Sequence, residues 1–205
     1  VDASLTLDAA DVTAKISPYT KAIMPVHMRG SASNMDPLLA VARKHGLNVI
    51  EDTAQADGAS YNGKRLGSIG DVGTFSLQFN KIITSGEGGM VITNDRDVFM
   101  RAQMYQDVVG GMRNNIPADQ ILPGINFRMP ELLGAVALAQ LEKLDELLRT
   151  MRHYKQMVKE NMADVAARKG VTFRVQNDPA GDAAVALIFF APDAAGAQRV
   201  AAELN

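Results

Sequence analysis

Apolar and polar positions alternate along this chain in two styles. In the first half, short apolar runs are separated by helical patterns. Residues 22–26 (AIMPV), 47–51 (LNVIE), 72–77 (VGTFSL) and 90–93 (MVIT) have the length and residue types of strands. Between the first two runs, residues 34–46 predict a helix. Asn34 stands as its N-cap, Pro37 lies in its first turn, Gly46 stops it, and Leu38, Leu39, Val41 and Ala42 give it an apolar face. Strand, helix, strand in that order implies parallel strands joined by a right-handed crossover. Residues 8–16 predict a short helix capped by Asp8, and residues 95–105 a further one carrying Val98, Met100, Ala102 and Met104. Residues 58–70 are glycine-rich and turn-like. Residues 106–128 hold Gly110, Gly111, Pro117, Pro123 and Gly124 without any period, which predicts a long loop of the kind that is often functional.

The second style begins at Pro130. Leu133, Ala137, Leu141, Leu144, Leu148, Met151, Val158, Met162 and Val165 recur three, four or seven residues apart up to Gly170. The pattern predicts a helical stretch of about 40 residues, about 60 Å long at 1.5 Å per residue. Helices of that length bridge domains or bend partway. Two strand-like runs follow, at 171–175 and 184–190, and then an alanine-rich helix over 193–204. The whole reads as an α/β fold with a mostly parallel sheet flanked by helices. Residues 1–150 belong to a large domain, and residues 151–205 form a long-helix linker and the start of a smaller α+β C-terminal domain. With Val1 in place of methionine and Asn205 inside a helical pattern, the chain is expected to be a fragment of a longer protein.

Composition narrows the function classes. The 205 residues are 47% hydrophobic and 21% charged, which is enough to build a core. A net charge of −2 provides no basic face for nucleic acid or an anionic membrane surface. The absence of cysteine excludes disulfides and thiolate metal sites, and His27, His45 and His153 lack metal-ligand spacing, so no metal is expected. No apolar run reaches the length of a membrane span and no signal peptide opens the chain, so the expectation is a soluble cytoplasmic protein.

In an open α/β sheet, ligands bind beyond the carboxyl ends of the strands. Asp52 and Gln55 follow one predicted strand, Ser76 and Lys81 follow the next, and Gly86, Glu87, Gly88 and Gly89 form a turn before the last. These are the residue types that pyridoxal phosphate requires: an amine for its aldehyde, a carboxylate for its ring nitrogen, a donor for its phenolic oxygen, and hydroxyl and N–H groups for its phosphate. Taken singly, each has a commonplace alternative. An aspartate at a strand end caps turns, a loop lysine is usually a solvated surface group, a strand serine is usually a satisfied hydroxyl, and a glycine cluster marks a tight turn. A dinucleotide site would need Gly-x-Gly-x-x-Gly after the first strand, where this chain has His27-Met28-Arg29-Gly30.

Taken together, the segments form a longer match. Glu51-Asp52-Thr53-Ala54-Gln55-Ala56, Gly70-Asp71-Val72-Gly73-Thr74-Phe75-Ser76, Lys81 with Gly86-Glu87-Gly88-Gly89, Gly124-Ile125-Asn126-Phe127-Arg128 and Ala139-Gln140-Leu141-Glu142-Lys143-Leu144 occur in order. In these segments the chain resembles the DegT/StrS family of pyridoxal-phosphate-dependent sugar aminotransferases, over about residues 1–170. The resemblance implies the large domain of a fold-type I transferase. It implies that Lys81 is the Schiff-base lysine and moves a proton at the substrate carbon, that Asp52 pairs with the pyridinium, that Gln55 contacts the phenolic oxygen and that Ser76 binds the phosphate. Asn126 would reach the phosphate in a neighbouring subunit, so a homodimer with shared sites is expected. His27 would lie on the cofactor side. Arg128 stands between a site or interface role and that of a surface arginine. Family members that dehydrate sugars carry histidine where this chain has Lys81, so transamination is favoured. The reaction implied moves an amino group from glutamate or glutamine to a keto- or aldehydo-sugar, a nucleotide sugar or an octulosonate, for cell-surface polysaccharide such as lipopolysaccharide or for secondary metabolites. The alternative is a cofactor-binding relative with a dehydratase or non-catalytic regulatory role. The family's N-terminal phosphate-binding turn and most of its C-terminal domain have no counterpart here, so this chain would supply only part of a site.

Overall fold

A computed structural model of the chain describes residues 1–204. The first helix, α1 (Ala9–Lys15), starts where the Asp8 carboxylate accepts the Ala10 N–H at 2.8 Å. β1 (Ala22–Ile23) and β2 (Asn48–Asp52) run parallel, and α2 (Met35–His45) crosses between them. Gly46 ends α2 in the left-handed conformation, at φ 61° and ψ 36°, as its position in the sequence predicts. The other end differs from expectation. Asn34 makes no capping bond, because its Oδ1 accepts the Tyr61 hydroxyl instead, at 3.0 Å. Met35, Leu38 and Ala42 turn inward and join Ile23 and Val49 in the core.

The glycine-rich stretch after β2 contains a hairpin. β3 (Ser60–Tyr61) and β4 (Lys64–Arg65) pair antiparallel across Asn62 and Gly63, whose φ values of 50° and 78° give the turn the twist that a two-residue hairpin needs. β5 (Val72–Ser76) lies parallel to β2 with Thr74 opposite Asp52, and β6 (Gly89–Thr93) lies antiparallel to β5. The sheet order is β1-β2-β5-β6, mostly parallel with one reversed strand. The reversal follows from residues 77–88, which hold no helix to carry the chain back over the sheet. Gly73 in β5 is needed for packing. A Cβ there would stand 2.1 Å from the Gly67 carbonyl oxygen, so the loop crosses directly on the backbone of the strand.

α3 (Arg96–Gln106) is capped by the Asp95 carboxylate, which accepts the Asp97 and Val98 N–H groups. The long loop after it holds one helical turn, α4 (Gly110–Arg113), and a 3-10 turn at Ala118–Gln120. The continuous helical pattern from 130 to 170 is two helices, α5 (Glu131–Leu141) and α6 (Leu144–Lys169), separated at Glu142 and Lys143. Leu144 and Leu148 carry the start of α6 into the core, whereas Leu132 and Leu138 of α5 are 75% and 59% exposed. The two final strand-like runs pair over only two residues each, β7 (Thr172–Phe173) against β8 (Phe189–Phe190), before α7 (Ala194–Leu204). Among the described residues no helix is long and apolar enough to cross a membrane.

Between β7 and β8 the chain returns to the turn that follows β1. Arg174 Nη1 donates to the Met28 carbonyl at 2.8 Å, Asn177 Nδ2 to the Ala32 carbonyl at 2.9 Å, and the Ala183 N–H to the Gly30 carbonyl at 2.8 Å. These bonds fix residues 28–32 from above.

Candidate active site

The site is built on a buried anion. Glu51 is fully enclosed in β2, and its carboxylate accepts the N–H groups of Gly67, Ile69 and Gly70 at 2.8, 2.7 and 2.6 Å. His27 Nε2 lies 3.0 Å from the same carboxylate, while His27 Nδ1 accepts the Ser33 N–H at 3.1 Å. The ring therefore carries its proton on Nε2 and donates it to Glu51. Burial works to raise the Glu51 pKa, but the bonds from His27, Gly70, Gly67 and Ile69 outweigh it and hold the carboxyl below its ordinary range. The His27 ring is fully buried with both nitrogens engaged, beside the end of β2.

The next residues turn upward from that base. Asp52 closes β2, with Oδ1 accepting the Ala54 N–H at 3.1 Å. Gln55 Oε1 accepts the Arg29 N–H at 3.1 Å. Arg29 meets it from a left-handed backbone, φ 51° and ψ 46°, which is a strained conformation for a side chain of that size. On the neighbouring strand Ser76 closes β5, its Oγ 3.4 Å from the Gln78 N–H. The loop beyond is tied by the Asn80 N–H to Gln78 Oε1 at 3.1 Å and by the Lys81 N–H to the Gln78 carbonyl at 2.9 Å. Lys81 faces a cavity of about 210 Å³ whose wall includes Gln55, Arg29, Asp57, Gln78 and Asn80.

The structure thus brings Lys81 and Gln55 to one cavity, and sets Asp52 and Ser76 at the carboxyl ends of adjacent strands. It does not bring Asn126 or Arg128 there. Asn126 Oδ1 accepts both the backbone N–H and the Nε–H of Arg128, at 3.3 and 3.2 Å, and Arg128 Nε lies 3.8 Å from Asp107 Oδ1. Arg128 lines a separate depression with Glu87, Gly88 and Gly89. The sequence does not single out the two other charged residues of the Lys81 cavity, Arg29 and Asp57. Arg29 carries no local signal beyond its charge. Asp57 precedes Gly58 and reads as an ordinary turn pair, yet it is only 3% exposed and its Oδ2 has no hydrogen-bond partner.

The model of the DegT/DnrJ/EryC1/StrS aminotransferase family matches residues 1–204. The chain belongs to that family. Among the curated relatives of this DegT/DnrJ/EryC1/StrS chain is GDP-perosamine synthase from Caulobacter vibrioides, 51% identical over 142 residues, which cover 69% of this chain and 38% of the relative. L-glutamine:2-deoxy-scyllo-inosose aminotransferase from Streptoalloteichus tenebrarius is 39% identical over 177 residues, 82% of this chain and 42% of the relative. The chain spans about two fifths of the length of these relatives. Among solved structures, the aminotransferase from Psychrobacter cryohalolentis superposes with a TM-score of 0.85 at 30% identity, covering 94% of this chain and 52% of that one. The 3-amino-5-hydroxybenzoic acid synthase superposes with a TM-score of 0.80 at 32% identity, covering 92% and 49%. The expected fold-type I α/β architecture is borne out by these neighbours.

Proposed function

We propose that this chain is part of a pyridoxal-phosphate-dependent aminotransferase that moves an amino group from glutamate or glutamine to a keto- or aldehydo-sugar. The reading rests on one observation above the others: Lys81 and Gln55 share a cavity at the strand ends where Asp52 and Ser76 also emerge. The donor set fits the cofactor, with an amine, a carboxylate, a side-chain amide and a hydroxyl at the mouth of one sheet. The buried, unpartnered Asp57 oxygen on the same wall marks a place built to face a polar group. The relatives named above as a GDP-perosamine synthase and a glutamine-dependent inosose aminotransferase support a sugar or cyclitol acceptor and an amino-acid donor.

When bound, pyridoxal phosphate supplies an aldehyde that bonds amines covalently and a ring that accepts electrons from the bond being broken. The residues of the chain prepare the place for it. Asp52 would keep the ring nitrogen protonated. Gln55 has its Oε1 occupied by the Arg29 N–H, which leaves the amide nitrogen as the group that would donate to the phenolic oxygen. Ser76 would donate to the phosphate. Lys81, once free, would take a proton from the substrate carbon and return it, which requires a neutral amine.

The finer assignments belong to the same proposal. The enzyme acts in the cytoplasm as a homodimer whose partner supplies Asn126 to the phosphate, in the synthesis of surface polysaccharide such as lipopolysaccharide or of secondary metabolites. The large domain extends to about residue 150, with the linker helix and the smaller domain after it.

The test uses the full-length protein. Glutamate should convert its bound pyridoxal phosphate to pyridoxamine phosphate, and Lys81→Ala should abolish the lysine-linked absorbance and cut turnover by a factor on the order of 10³. Turnover and absorbance unchanged in Lys81→Ala would refute the assignment.

A further inference from the structure

The cavity holds a charged group that the proposed reaction has not yet used. Three ionisable side chains line it: Arg29, Asp57 and Lys81. Arg29 is exposed at its rim, and among the described residues its guanidinium has no ion-pair partner. Asp57 lies in the turn after β2, buried, with Oδ2 unpartnered. From the neighbouring hairpin Arg65 donates to the Gly58 carbonyl and pairs with Asp145 at 2.8 Å, so its charge is already answered. Lys81 is the residue whose charge acts on Asp57.

A buried carboxyl without a hydrogen-bond partner is costly to keep ionised, and a cation across a small cavity is what offsets that cost. The two opposing effects meet close to neutrality: burial pushes the Asp57 carboxyl up to about 7, against the pull of Lys81. An amine that alternates between covalently bonded and free must change its protonation each time, and a buried carboxyl lining the same cavity can exchange a proton with it.

We propose that Asp57 is a positioning residue for Lys81, acting across the shared cavity as the group that gives up a proton when the Lys81 amine takes one and recovers it when the amine releases it. One O–H bond breaks as one N–H bond forms, and the charge of the pair is conserved. The proposal rests on the aminotransferase reading for its role in turnover, but the coupling of the two groups rests on the cavity they share and the burial of Asp57.

The experiment measures the proton affinity of Lys81 in the full-length protein loaded with pyridoxamine phosphate, where the amine is free. Competitive acetylation across pH, read by mass spectrometry, gives its titration midpoint. Asp57→Asn should lower that midpoint by about one unit, tenfold in proton affinity. A carboxyl that only supported the fold would change the melting temperature and leave the Lys81 midpoint in place, and that result would overturn the proposal. Should Asp57→Asn fail to fold, Lys81→Ala provides the reverse reading: the Asp57 carboxyl, followed by carbon-13 NMR, should titrate at higher pH than in the parent, and an unmoved midpoint also refutes the coupling. If the protein takes up no cofactor, the same labelling of the unloaded full chain still reports on the pair, so failure of the function and failure of the coupling are read separately.

Discussion

Glu51 is the residue on which the strand-end geometry depends. Four donors converge on one buried carboxylate, and three of them are backbone N–H groups of the 67–70 loop. Substituting Glu51→Gln places an amide N–H₂ among donors and removes the charge they share, so a loss of about 3 kcal/mol in urea-unfolding stability is expected. The pH dependence has a definite sign. The folded-state pKa of Glu51 is lowered, so its contribution is complete above the ordinary value of 4.5 and disappears as pH falls through the lowered value. The difference between parent and Glu51→Gln should therefore be largest at neutral pH and shrink in acid. Equal stability at pH 7 would show that the four bonds contribute nothing net. The sequence displayed Glu51 only as part of a matching segment, because nothing local distinguishes a carboxylate that accepts four bonds from one that meets water. Asp57 was hidden for a related reason: an aspartate before glycine reads as a turn whether the carboxyl points inward or out.

Elements were legible where their signals are local. Asp8 and Gly46 mark helix ends through bonds and angles within a few residues, and each acts where the sequence places it. The break between α5 and α6 was not legible, because Leu141 and Leu144 continue the three-and-four spacing across it. The direction of β6 depends on which strand it pairs with, a choice made by packing outside the segment itself. Gly73 shows how tightly the elements are set. The Gly67 carbonyl oxygen would lie 2.1 Å from an added Cβ, and backbone cannot rotate away as a side chain can. Gly73→Ala should cost about 3 kcal/mol or prevent folding, as measured by urea denaturation or soluble yield. A variant as stable as the parent would mean that the loop can lift from the strand at little cost.

The molecule as a whole leaves much apolar surface uncovered. Met90, Val91 and Ile92 are exposed on β6, an edge strand among the described residues, and Phe127, Leu132 and Leu138 are exposed farther along the chain. Edge strands and apolar patches of this kind seek partners. The 205-residue chain expressed alone should therefore self-associate at micromolar concentration, and charged substitutions such as Val91→Lys and Leu132→Glu should reduce the effect in light scattering. A monodisperse monomer would show that these faces are tolerated in water.

The bonds from Arg174, Asn177 and Ala183 to the turn at 28–32 set a timetable for synthesis. Arg29, whose backbone aligns Gln55, leaves the ribosome about 150 residues before the last of the groups that hold its turn in place. At roughly 5–20 residues per second that interval is on the order of ten seconds. During it the strands can pair while the cavity wall is still unset, so a nascent chain would acquire its sheet first and its competence to hold a ligand last.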